Sequence, residues 1–147
     1  MIDVVRVVLE RTPIDLGVIC VSNPKLAEKV LRNYIQDYCD QDRENLVILC
    51  VDTKLKINAI HTLAVGGINK CSVNMLQVFK ICALSNSPGF FLAHNHPTGD
   101  VTPSDDDFTV IKKLQKGAKR MGLKLMDNII IGDKEVYSMR AEGHLTD

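Results

Sequence analysis

The sequence predicts a single mixed α/β domain, a central mixed sheet flanked by helices. Short apolar, β-branched runs alternate along the chain with longer stretches whose apolar residues recur every three or four positions, the two periods of strands and amphipathic helices. The length of 147 residues with 46% hydrophobic content suits one domain over residues 1–147 built on one core. No internal repeat or low-complexity segment divides it.

The elements follow in order. Val4 to Glu10 is apolar and β-branched and predicts a first strand. Ser22 or Asn23 caps a helix from Pro24 to about Tyr38, with Pro24 in the first-turn position that tolerates a missing N–H. Leu26, Val30, Leu31, Tyr34, Ile35 and Tyr38 form its apolar stripe. Strands over 45–52 and 56–64 flank a hairpin turn at Asp52-Thr53-Lys54, and Gly66-Gly67 breaks the chain. Val73 to Leu84 reads as a helix. Residues 89–94 form a short apolar strand after Ser87-Pro88-Gly89, and Pro97, which has no N–H for a ladder, ends it. Thr98-Gly99-Asp100 is turn chemistry. A helix over 105–120 is marked by apolar Phe108, Ile111, Leu114, Ala118 and Met121 at three- to four-residue spacing, with Ser104 at its N-cap and Asp107 at N3. Strands over 123–131 and near 135–139 close the fold around a turn at Gly132-Asp133.

Composition excludes several classes. No apolar stretch approaches the roughly 20 residues that span a bilayer, and Met1–Arg6 lacks the layout of a signal peptide, so a cytoplasmic protein without membrane contact is expected. Formal net charge is zero, which gives no global attraction to a nucleic-acid backbone. Lys112, Lys113, Lys116, Lys119 and Arg120 share the polar side of one helix and read as solvated surface. The five cysteines, at 20, 39, 50, 71 and 82, form no Cys-x-x-Cys pair and read as free, mostly buried thiols. His61 and His144 have no partner motif.

The stretch Ala93-His94-Asn95-His96-Pro97-Thr98-Gly99, followed by Pro103-Ser104-Asp105-Asp106-Asp107, carries the chemistry. Side chains two apart on a strand share a face, so His94 and His96 project together where the apolar run ends. Ser-x-x-Asp at a helix start is by itself a capping box suited to the helix dipole. Capping does not explain two histidines beside it. Two imidazoles and one carboxylate suit zinc, and three protein ligands leave a position for water.

These residues resemble the RadC family, a branch of the JAB/MPN metalloenzyme superfamily whose signature is an upstream Glu, then His-x-His-Pro, then Ser-x-x-Asp. The matching residues are Glu44, His94, His96, Pro97, Ser104 and Asp107, and the wider phrase extends to Leu125–Asp133. The resemblance covers about residues 25–140, with 1–24 as a variable extension. It implies a JAB/MPN, cytidine deaminase-like fold. It implies one Zn²⁺ per chain on His94, His96 and Asp107, Glu44 as general base, and Ser104 as an oxyanion donor. The chain departs from the pattern at Asn74-Met75-Leu76-Gln77, where relatives carry His-Pro-Arg-Glu. It departs again at Gly66-Gly67 for Gly-Thr, and at Asn128 for His after Asp127. None of these is an implied ligand or the base. The N-terminal helix-hairpin-helix region of full-length relatives has no counterpart here.

The function expected is a zinc-dependent hydrolase of a peptide or isopeptide bond, with a peptide or protein as substrate partner. The rival is an accessory DNA repair or recombination protein with a structural zinc. A structural zinc is normally closed by four protein ligands, which the Glu44, His94, His96, Ser104, Asp107 set does not match. A homodimer through an exposed sheet edge is the remaining partner arrangement.

Overall fold

The computed structural model describes residues 1–66 and 73–147. Its elements run α1 (Pro24–Tyr38), β1 (Asn45–Val51), β2 (Ile57–Val65), α2 (Met75–Leu84), β3 (Gly89–Asn95), α3 (Asp105–Arg120), β4 (Lys124–Ile131) and β5 (Val136–Ser138). The five strands form one sheet in the order β2-β1-β3-β4-β5. Only β3 and β4 are parallel, and α3 is their crossover; the other pairs are antiparallel. The mixed α/β fold expected from the sequence is the observed one.

Both faces of the sheet are covered, which explains why the central strands are apolar without alternation. All seven residues of β1 and of β3 are buried. Val47, Leu49, Val51, Phe91 and Ala93 pack with Ala27, Val30, Leu31 and Ile35 of α1. Leu46, Ile48, Cys50, Phe90 and Leu92 turn the other way, onto Val78 and Cys82 of α2 and Ile111, Leu114 and Ala118 of α3. Burying a side chain of this size contributes about 1.5–3 kcal/mol, so these two layers carry most of the stability.

Local chemistry sets the boundaries. Asn23 caps α1 by accepting from the Leu26 amide at 3.1 Å, with Pro24 at the first turn. In the β1–β2 turn, Asp52 Oδ1 accepts from the Lys54 and Lys56 amides at 2.8 and 2.9 Å. α2 begins at Met75, later than the Val73 expected, because Asn74 acts as its N-cap and accepts from the Leu76 amide at 3.0 Å. Gly66 adopts φ +106°, which favours glycine; Gly67 and Cys71 lie outside the described residues. Cys50 and Cys82 are buried free thiols, and Cys20 and Cys39 are half-buried free thiols. No helix among the described residues is long and apolar enough to cross a membrane.

One expected element is not formed. Val4–Glu10 pairs with no strand, and Val4, Val5, Val7 and Val8 are exposed. β propensity reflects packing against neighbours rather than an intrinsic backbone preference, and no strand of the sheet pairs with this segment.

Candidate metal centre

The sheet register builds the site. β1 and β3 run antiparallel with Leu46 opposite His94. Continuing both strands by two residues sets Glu44 opposite His96, so residues distant in sequence meet at one end of the sheet. His94 follows Phe90 and Leu92 on the face covered by α2 and α3. The N-terminus of α3 arrives on that same face with Asp107.

The donor atoms converge. His94 Nε2 and His96 Nε2 lie 3.1 Å apart. Asp107 Oδ2 is 3.7 Å from the first and 3.9 Å from the second, and Glu44 Oε1 is 4.0 Å from His94 Nε2. Glu44, His94 and His96 each place one ligand atom within 4.8 Å of the others. A tetrahedral ion bonded at about 2.0–2.1 Å holds its donors about 3.3 Å apart. The observed separations bracket that value, so the residues fit a metal ion. The His94 and Asp107 side chains are 1% and 2% exposed, whereas those of Glu44 and His96 are 17% and 18% exposed. The group is thus closed toward the core and open on the Glu44–His96 side.

Neighbouring groups fix the orientation of these side chains. His96 Nδ1 lies 2.6 Å from the Asp100 carbonyl oxygen, which can only accept, so Nδ1 carries the proton and Nε2 offers its lone pair to the site. The His94 Nδ1 has no hydrogen-bond partner among the described residues. Asp107 belongs to a capping box: its Oδ2 accepts from the Ser104 amide at 2.9 Å, and Ser104 Oγ accepts from the Asp107 amide at 3.1 Å. Burial pushes the Asp107 carboxyl up, but His94 and the Ser104 amide outweigh it and hold it below the usual carboxylate range. The Ser104 oxygen is used by the cap, which leaves the hydroxyl proton as a donor.

Two asparagines have a role that the sequence reading missed. Asn95, between the histidines, turns away from the site. Its Oδ1 accepts from the Asn45 amide at 2.8 Å, and its Nδ2 donates to the Arg43 carbonyl at 2.9 Å. Asn45 Nδ2 donates to the Asp40 and Arg43 carbonyls at 2.7 and 3.0 Å. Together they clamp the backbone on both sides of Glu44. The signal was a pair of polar residues at the ends of apolar strands, but nothing in the sequence pairs them. Asn95→Ala leaves the buried Asn45 amide without a partner, while the Arg43 carbonyl keeps Asn45 Nδ2, and is expected to destabilise the fold by about 1–3 kcal/mol, read by urea unfolding. A loss under about 0.5 kcal/mol would show that the clamp is replaceable by water.

The loop bearing His96 also rests on the β4–β5 turn. The His96 amide donates to the Ile131 carbonyl at 3.3 Å. A Cβ at Gly132 would stand 2.4 Å from the Gly99 carbonyl oxygen, so only glycine allows this approach. Arg32 of α1 holds the far side of the turn through the Gly132, Asp133 and Glu135 carbonyls at 2.9–3.2 Å.

Comparison with known proteins agrees with this geometry. A family described as "RadC-like JAB domain" matches residues 21–144. The chain belongs to the RadC-like JAB domain family. A UPF0758 protein of Thermotoga maritima is 33% identical over 112 residues, 76% of this chain and 50% of that protein. UPF0758 proteins of Methanosarcina acetivorans and Bacillus pumilus are 38% and 35% identical over 71% and 70% of the chain. The chain spans about half the length of the curated relatives it matches, at 45–50% for these three. As a RadC-like JAB domain, it carries a histidine–histidine–carboxylate group that could hold a metal ion.

His61 lies exposed on β2, and His144 packs its ring on Phe108 at 4.7 Å between centroids; neither joins the centre. The Lys112, Lys113, Lys116, Lys119 and Arg120 side of α3 is exposed.

Proposed function

We propose that this chain is a zinc-dependent hydrolase that cleaves an amide, a peptide or isopeptide bond, with water as nucleophile. The observation that carries this reading is the convergence of His94 Nε2, His96 Nε2 and Asp107 Oδ2 beside a more exposed carboxylate, Glu44. His94, His96 and Asp107 would hold the ion: both imidazoles turn Nε2 to the site, and Asp107, held below the usual carboxylate range, is locked by its cap. Zinc so held would lower the pKa of a water toward about 7 and polarise the scissile carbonyl.

The chain's own groups do the rest. Glu44 takes the proton of the attacking water and passes it to the departing amine, the two halves of general acid–base catalysis. The Ser104 hydroxyl donates to the oxygen that becomes negative as the carbonyl is attacked. The Asn45–Asn95 clamp fixes the reach of Glu44. Three ligands and a free carboxylate make an open site, which favours catalysis over a purely structural zinc.

The test is a substrate screen. Zinc-loaded and chelator-stripped protein are incubated with cell lysate and compared by mass spectrometry for new amino termini and released amines. New termini with the loaded protein alone support an amide hydrolase. Equal patterns from both preparations would remove metal-dependent hydrolysis from consideration.

A further inference from the structure

The N-terminal segment exposes a run of apolar side chains, and β2 is an edge strand. Ile2, Val4, Val5, Val7 and Val8 are 71–100% exposed, an apolar concentration that soluble surfaces rarely leave uncovered. β2 is an edge strand of the sheet: Ile57 N–H donates to the Ile19 carbonyl and the Asn58 carbonyl accepts from Arg11, and beyond them Ala59–Val65 has no strand on its outer side. No proline or lysine blunts the edge over Ile57–Val65. Alongside it runs a groove of about 770 Å³ between residues 57–61 and the chain's own residues 8–12 and 14. Tyr34 and Tyr38 of α1 wall one side, and Ile81 and Leu84 of α2 wall the other.

The groove suits a strand covered on both faces. In Ile2–Val7, Ile2, Val4 and Arg6 fall on one face, and Asp3, Val5 and Val7 on the other. Six residues extend about 20 Å at 3.3 Å each, within the about 23 Å of Ala59–Val65. The same chain cannot easily supply this strand. Its residues 8–12 and 14 already form the outer wall, and Arg11 Nη1 is anchored to the Asn58 carbonyl at 2.8 Å. Entering the groove would need a reversal at Val7-Val8, and Met1–Glu10 has no glycine, proline or asparagine to make one.

We propose that Ile2–Val7 of a second copy adds to the free edge of β2, reciprocally, so that strand exchange builds a homodimer. Each copy then gains a sixth strand and covers the other's exposed valines.

Light scattering on the 147-residue chain as it elutes from a sizing column tests this. The wild type is expected at twice the 16.4 kDa chain mass. Val5→Pro/Val7→Pro is expected at the single-chain mass with the helical circular dichroism signal unchanged. Val5→Asp/Val7→Asp should do the same without restricting the backbone. Hydrogen exchange of residues 59–65 should be slow in the wild type and faster in both variants. A wild type that is monomeric at micromolar concentration overturns the proposal, including one whose residues 2–7 are protected by folding back. A dimer that survives both double substitutions overturns it as well.

Discussion

The Glu44→Gln protein is expected to bind about one zinc per chain and to lose amide hydrolysis by about 10²–10⁴-fold, the usual worth of a general base. The substitution keeps the shape of the side chain and removes its ability to accept a proton. Glu44 Oε1 stands 4.0 Å from His94 Nε2, with its side chain 17% exposed, where it can meet a water entering from solvent. Two carboxylates border the histidine pair, and this variant tells them apart. If metal content falls together with turnover, Glu44 is a ligand and not the base. If turnover persists with metal in place, Glu44 leaves the mechanism. Metal content by elemental analysis and turnover on the product of the lysate screen are the two readings.

Asp107→Asn is expected to do the reverse. Its side-chain oxygen can still accept from the Ser104 amide, so the capping box at the start of α3 survives and thermal stability changes little. The negative charge beside His94 and His96 disappears, and with it the carboxylate ligand. Zinc affinity should fall by more than the about 10–100-fold that a change around a ligand costs. His96→Ala should match it. Competition with a chelator of known affinity measures the loss, and urea unfolding shows that the fold is intact. Full zinc occupancy in both variants would sink the ligand assignment. Asp107→Ala is the less informative choice, because it removes the cap as well as the ligand.

Much of this molecule was legible before the structure. The α1 boundaries follow from Asn23, Pro24 and a stripe at helical spacing, all local. The His94–His96 pairing follows from the two-residue period of a strand, and the capping box at Ser104 and Asp107 from a four-residue pattern. Glu44 was different. Residue by residue it is an exposed acid before a strand, and only the resemblance to a family pointed to it. The antiparallel register of β1 on β3 is what sets it opposite His96. The start of α2 moved because Asn74 caps it, and a cap overrides the continuing apolar pattern before it.

The sequence by itself determined the mixed α/β class, the order of the elements from α1 onward and the pairing of His94 with His96, because each depends on neighbours within a few positions. The tertiary structure alone decided which carboxylate stands where, that Asn45 and Asn95 clamp the Glu44 backbone, and that Val4–Glu10 pairs with no strand of its own chain. Strand pairing is a contact between distant segments, and its register and availability are set by the whole sheet rather than by the residues that pair.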